Sequence, residues 1–119
     1  MKEVGKKITT VWVLQPKLKN NLADKIDCSS LGEANALTRA LPRVRIVGST
    51  IVFIEKLRPK EFFGSGKVSE LAEKFRIEKI GLVIINNQIS PVQQRNLEKK
   101  WKVKILDRTA LILEIFADR

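Results

Sequence analysis

The chain has 119 residues, a hydrophobic fraction of 44% and a formal net charge of +10, which fits one domain with its own core and a polyanionic partner. It contains no histidine and one cysteine, Cys28, which argues against metal or triad chemistry and excludes an internal disulfide. No run of about 18 apolar residues is present, so no membrane span is predicted and the expected location is the cytoplasm.

The first part of the chain predicts a strand followed by a helix. Residues 7–14 are apolar and β-branched, which is typical of a buried strand. Residues 15–27 are polar and rich in lysine, which indicates a loop with a short helix. Ser30 and Glu33 have the spacing of a capping box, so we predict a helix that begins there and ends at Pro42.

The middle of the chain predicts a second strand, a glycine-rich turn and a second helix. Residues 43–54 read as one strand, or as a bent pair with Gly48 at the bend. Residues 64–67 form the turn. The helix after it has apolar side chains at helical spacing, namely Val68, Leu71, Ala72 and Phe75.

Two short strands and a third helix follow. Residues 82–85 are a continuous apolar run, the pattern of a strand that is covered on both faces. Ser90, Pro91 and Gln93 occupy the N-cap, N1 and N3 positions of a capping box, which predicts a helix start. Residues 103–106 predict a short last strand.

The final segment, residues 107–119, begins like a helix and shows no stop signal. Asp107 or Thr109 can serve as its N-cap. Apolar residues surround most of this helix: Leu111, Ile112, Leu113, Ile115 and Phe116. We therefore divide the chain into a domain of residues 1–106 and the start of a further helix at residues 107–119, for which the family resemblance given below implies the role of a connector. We expect that helix to self-associate, to fray, or to fold back across its own sheet.

Alternation of strands and helices predicts an α/β fold with a small, mainly parallel four-stranded sheet flanked by helices in βα repeats. Ligands of such sheets bind beyond the carboxyl ends of the strands. We expect three polar segments to meet at that edge and to form a nucleotide or phosphate site. Its candidate residues are Gly64, Ser65, Gly66, Lys67, Asn86, Asn87 and Arg108.

The glycine-rich turn is not a P-loop, because Glu61 stands at the first glycine position and Val68 at the hydroxyl position. It remains a generic anion site at a helix start, or a turn that simply needs glycine. Arg108 can hold phosphate bidentately, or Asp107 and Arg108 can form an N-cap and a surface ion pair.

Basic residues beside an aromatic ring suit contact with RNA phosphates and stacking of bases. The alternatives are a solvated charged face, a surface that confers solubility, and a tryptophan that belongs to the core. Asn96 or Gln93 either ties down a neighbouring loop or faces a ligand. The candidate RNA-binding residues are Arg43, Arg45, Lys56, Arg58, Arg95, Lys99, Lys100, Trp101 and Lys102.

The ordered motifs at residues 64–71, 89–98 and 107–119 closely resemble the N-terminal domain of the HflX family of GTPases. Phe62 and Phe63 depart from that family, which usually has a small polar residue before the turn. The resemblance implies binding to the large ribosomal subunit and its rRNA near the peptidyl-transferase centre, in ribosome splitting or rescue. It also implies purine nucleotide binding by the N-terminal region.

In that family a helical hairpin leads to a GTPase domain, which would continue the helix at residues 107–119. GTP and Mg²⁺ are then cofactors of the implied full-length protein. No GTPase motif occurs here, so no catalytic residue, metal ligand or cofactor is assigned to this chain. The alternatives are a small nucleotide-binding domain with weak or regulatory hydrolysis at residues 64–67, and a stand-alone remnant.

Overall fold

Four parallel strands form one sheet in the order β2-β1-β3-β4. The computed structural model describes residues 8–18, 29–55 and 59–117. The elements along the chain are β1 (Thr9–Leu18), α1 (Ser29–Arg39), β2 (Val44–Ile54), α2 (Ser65–Ile77), β3 (Leu82–Ile85), α3 (Pro91–Trp101), β4 (Lys104–Asp107) and α4 (Arg108–Ala117). This confirms the predicted α/β class, and the sheet is parallel throughout.

The sheet is covered on both faces, which explains why its central strands are apolar without alternation. All four residues of β3 are buried. On one face the core contains the side chains of Trp12, Phe75, Leu97 and Trp101, contributed by β1, α2 and α3. On the other face Val11 and Val13 pack with residues of α1 and α4. The domain is therefore a three-layer α/β/α arrangement.

A β-bulge interrupts the pairing of β1 with β2, where the register passes from Val11 opposite Ile46 to Trp12 opposite Gly48. A Cβ atom at Gly48 would lie 2.4 Å from the Trp12 ring. The indole Nε1 of Trp12 donates to Thr50 Oγ1 at 3.0 Å. The bulge thus confirms the predicted bend at Gly48, and the physical need for glycine is room for the indole.

Two sequence predictions in the first part were wrong in their bounds. Gln15 and the residues up to Leu18 belong to β1 and not to a loop, because they pair in register with β2 up to Ile54. Tertiary pairing therefore overrides the polar composition of this stretch. Helix α1 begins at Ser29, so Ser30 lies inside the helix. The rest of the segment predicted as a loop with a short helix, residues 19–27, falls outside the described residues.

Other local predictions are confirmed. The Ser90 hydroxyl accepts from Gln93 N at 3.1 Å, and Gln93 Oε1 accepts from Ser90 N at 2.8 Å, which completes the capping box. Asp107 Oδ1 accepts from Ala110 N at 2.8 Å and is thus the N-cap of α4. Asn96 ties a neighbouring loop as expected, because its Nδ2 donates to Lys60 O at 3.0 Å.

Helix α4 folds back on the sheet with one face only. Leu111 is 1% exposed, whereas Leu113 and Phe116 are 63% and 62% exposed. Of the stated alternatives, folding back across its own sheet is therefore the one observed, and part of the apolar surface of this helix is uncovered within the described chain. No helix among the described residues is long and apolar enough to cross a membrane.

Candidate functional site

The carboxyl edge of the sheet is occupied by polar side chains that bind one another. The strand order reverses between β1 and β3, which is where ligands of doubly wound sheets usually bind. Here Asn86 Nδ2, after β3, donates to Gln15 Oε1 of β1 at 2.5 Å. Gln15 is buried, and its Nε2 donates to Pro16 O at 3.1 Å. These amides therefore satisfy one another across the switch point.

The neighbouring strand end is closed in the same way. Asp107 is buried, and its Oδ2 accepts from Ile89 N at 3.3 Å while its Oδ1 caps α4. The backbone N of Arg108 donates to Asn87 O at 3.3 Å. Asn86, Asn87 and Arg108 are thus brought to one edge, as the sequence predicted. The N-cap alternative for Asp107 is the one that the contacts support.

The glycine-rich turn does not join this set. Gly64 is the N-cap of α2, and Lys67 pairs with Glu70 of the same helix at 3.2 Å. Within the described residues, no recorded hydrogen bond or ion pair links Gly64, Ser65, Gly66 or Lys67 to Asn87 or Arg108. That all three segments share one site therefore stays a prediction.

The two phenylalanines before the turn are buried. Phe62 and Phe63 are 2% and 0% exposed, and the Phe63 ring lies 6.0 Å from the Trp101 ring of α3. The segment that leads into the turn is therefore anchored in the core beside α3. Sequence spacing alone cannot show this, because it does not specify the path of the connecting loop.

The amino edge of the sheet presents a basic groove between the C-terminal halves of α2 and α3. The groove has a volume of about 490 Å³. The Phe75 and Trp101 rings, which meet edge to face at 5.1 Å, contribute to its lining. Four basic residues and one acidic residue also line it: Arg76, Lys79, Lys100, Lys102 and Glu73. Such a surplus of cations attracts phosphate.

Two of these cations are already paired on the protein surface. Arg76 binds Glu73 one helical turn away, and the Arg76 hydrogen bond and charge lower the pKa of Glu73 while Glu73 raises the pKa of Arg76. Lys100 Nζ lies 3.3 Å from Glu61 Oε2. Within the described chain Lys79 and Lys102 form no recorded ion pair. Those two lysines are the ones most available to an external anion.

Of the predicted RNA-binding residues, Lys100, Trp101 and Lys102 line this groove. Arg43 lines a second hollow at the same edge, on the opposite face of the sheet, together with Lys104. Arg45, Arg95 and Lys99 are exposed elsewhere on β2 and α3. Lys56 and Arg58 lie outside the described residues.

Trp101 was wrongly proposed as a stacking platform. Its side chain is 4% exposed, and its Nε1 donates to Val68 O at 2.9 Å. A ring that is buried between α2 and α3 cannot receive a nucleic-acid base without opening the core. The alternative that this tryptophan belongs to the core is confirmed.

Sequence reasoning missed Arg76 and Lys79 as parts of this groove. A signal was available for Arg76, because basic residues in the last turn of a helix complement its dipole. No sequence signal places the end of α2 beside the end of α3, since this depends on the crossover of β2 to β3 past β1. Among the described residues there is no cluster of three or more His, Cys, Asp or Glu that could hold a metal.

Comparison with known proteins agrees with this fold and with the sequence motifs. Residues 28–117 match the family described as GTP-binding GTPase N-terminal. The chain belongs to this family, as an N-terminal domain of the HflX type. The match covers α1 to α4, with all of the carboxyl-edge residues after β3 and all of the basic groove.

Two curated relatives illustrate the likeness to HflX proteins. The GTPase HflX of Magnetococcus marinus is 43% identical over 76 residues, which cover 64% of this chain and 18% of the relative. The GTPase HflX of Methanocaldococcus jannaschii is 40% identical over 92 residues, covering 77% of this chain and 22% of the relative. The chain thus spans about a fifth of the length of these HflX relatives.

A solved structure shows the same fold as this HflX-type domain. It is a GTP-binding protein from Sulfolobus solfataricus in complex with GDP, with a TM-score of 0.63 and 22% identity. The likeness covers 92% of this chain and 30% of the archaeal chain. At this level of identity the comparison supports the three-layer fold and carries no residue-level role.

Proposed function

We propose that this chain is the RNA-contacting N-terminal domain of an HflX-like GTP-binding protein that acts on the large ribosomal subunit in ribosome splitting or rescue, in the cytoplasm. The observation that carries the proposal is the groove between α2 and α3, where four cations face one carboxylate. A net charge of +10 adds a long-range attraction to rRNA.

We assign no GTP or Mg²⁺ site to this chain. The chain contains no P-loop, and its described residues contain no metal-binding cluster. The HflX relatives extend far beyond the length matched here. We therefore assign nucleotide hydrolysis to the parent protein, with this domain as a non-catalytic contact to RNA.

Binding through phosphates predicts a steep dependence on salt, because each neutralised phosphate releases a counterion. The test is sedimentation of the 119-residue chain with purified large and small ribosomal subunits over a series of salt concentrations. We expect preferential binding to the large subunit, with an affinity that falls steeply as salt rises. Equal binding to both subunits, or binding that does not respond to salt, would contradict the proposal.

A second candidate is a purine nucleotide site at the carboxyl edge, where a doubly wound sheet ordinarily holds its ligand. The strand order that reverses between β1 and β3 favours it, and Asn87 is exposed there. A bound nucleotide should raise the melting temperature of the chain, and Asn87→Ala should remove the rise. Lys67→Ala tests the separate turn. No shift at millimolar ATP or GTP would exclude the nucleotide site.

A further inference from the structure

Two lysines occupy helix-terminal positions at which glycine is the usual residue. Lys79 and Lys102 have φ angles of 56° and 54°, in the left-handed region. A side chain in that region costs about 1–2 kcal/mol, because its Cβ approaches the following carbonyl oxygen. Observed backbone strain of this kind justifies asking what the side chain does.

The end of α2 is a Schellman motif with Lys79 at its left-handed position. Ile80 N donates to Phe75 O at 3.0 Å, and Lys79 N donates to Arg76 O at 3.2 Å. Ile80 and Phe75 both lie in the core, which supplies the hydrophobic contact of this motif. The backbone geometry therefore requires a left-handed residue, and it does not require a lysine.

The end of α3 has the simpler left-handed motif with Lys102 in the same role. Lys102 N donates to Glu98 O at 2.8 Å, which is the single bond that defines this motif. The two helix ends lie side by side, since residues from both line the same groove. Both lysines are exposed and are without a recorded ion pair among the described residues.

We propose that Lys79 and Lys102 form a phosphate grip for the RNA backbone at the mouth of the groove between α2 and α3. This inference rests on the proposed RNA contact and specifies its surface. The fixed backbone places the root of each lysine side chain at its helix end, so the backbone need not be ordered on binding. Arg76 and Lys100 flank the two lysines. Each of them is paired with a carboxylate and must give up that ion pair to bind a phosphate.

An acidic protein segment is the competing partner for a basic groove. The structure favours RNA because the two aromatic rings that line the groove are buried, with Phe75 1% and Trp101 4% exposed, so neither presents an exposed aromatic face to the apolar side chains of an acidic peptide. The regularly spaced phosphates of an RNA backbone suit a groove that is lined by four basic residues.

The test uses glycine substitutions, which remove the charge and also relieve the strain. Lys79→Gly, Lys102→Gly and the double variant are compared with a control that loses the same charge elsewhere, Lys17→Gln with Lys60→Gln. Binding of a labelled RNA hairpin is measured by fluorescence anisotropy at several salt concentrations, and thermal stability is measured by circular dichroism. Binding of polyglutamate is measured in parallel.

We expect the double glycine variant to bind the hairpin about tenfold more weakly than the control, with a salt slope reduced by about two. Its melting temperature should be equal to or above that of the unsubstituted chain, because strain is relieved. Arginine at both positions should retain binding.

Three outcomes would overturn the grip. The first is an affinity and salt slope equal to those of the control. The second is a lower melting temperature in the glycine variants, which would make the lysines structural. The third is a preference for polyglutamate over RNA. If instead the unsubstituted chain binds neither the hairpin nor the large subunit, it is the proposed function that fails.

Discussion

At the carboxyl edge of the sheet the polar side chains bind one another, whereas at the amino edge basic side chains gather with few carboxylates to oppose them. Gln15 and Asn86 share a hydrogen bond, and Asp107 satisfies two backbone N–H groups. Lys79 and Lys102 have no recorded ion pair in the described chain. At the carboxyl edge, where this fold class usually binds ligands, the polar side chains are therefore already hydrogen-bonded within the protein to a greater extent than at the amino edge.

The difference follows from the preference of helix C-termini for basic residues, which recurs in three helices of this fold. Cations are favoured at helix C-termini because of the exposed carbonyl groups there. Helices α1, α2 and α3 each have basic residues in the last turn. Each of these helices returns the chain to the start of the next parallel strand, so all three ends lie at the amino edge. A preference that acts within the last turn of each helix thus gives the whole domain a positively charged amino edge.

The largest expected effect is a loss of stability on substitution of Trp101, which lies beneath the groove at the amino edge. Trp101→Ala should lower the free energy of unfolding by about 3–5 kcal/mol, because it leaves a cavity beneath the groove and removes the hydrogen bond from the indole to the Val68 carbonyl. Urea denaturation measures the change. Trp101→Phe is the control, and it should cost less while leaving the salt slope of RNA binding unchanged. A loss of RNA binding by Trp101→Phe at full stability would restore the stacking role.

The carboxyl edge should respond in stability without a change in RNA affinity. Asp107→Ala removes the N-cap of α4 and the acceptor of Ile89 N, so we expect a loss of about 1–3 kcal/mol by urea denaturation. Asp107→Asn keeps a capping oxygen and should lose less. Weaker RNA binding by a folded Asp107→Asn variant would show that this edge also contacts RNA.

A smaller effect is expected at the switch point. Gln15→Leu removes the acceptor of Asn86 and leaves its amide without that bond, which should cost about 1–2 kcal/mol in the free energy of unfolding. Substituting leucine at position 15 and at position 86 together should recover part of the loss, as a double-mutant cycle can measure. Stabilisation by a purine nucleotide that persists in both single variants would indicate that the nucleotide binds elsewhere.

The smallest expected effect is a gain in RNA affinity at the amino edge. Glu73→Gln removes the one carboxylate found among the described residues that line the groove, and it frees Arg76, so RNA affinity should rise about two- to fivefold. Lowering the pH should act in the same direction. Since Arg76 lowers the pKa of Glu73, the ion pair is present above that pKa and is lost as the pH falls through it. Anisotropy titrations that show equal affinity for both forms would mean that Arg76 does not contact RNA.

Much of the local structure could be predicted from the sequence, because caps and periodicity act over a few residues. Ser90 with Gln93, the apolar run of β3 and the bend at Gly48 are examples. Gln15 was assigned to a loop because its strand partners lie more than thirty positions away in β2. The family resemblance came from ordered motifs, and the family match confirms it.

What the sequence by itself determined was the α/β class, the helix start at Ser90 and the surplus of positive charge, whereas the contacts chose Asp107 over Thr109 as the N-cap of α4. Only the tertiary structure decided which residues share a surface. It buried Trp101 and placed Lys79 beside Lys102. The physical reason is that capping and periodicity are local, whereas proximity depends on strand order and on crossovers that span the whole chain.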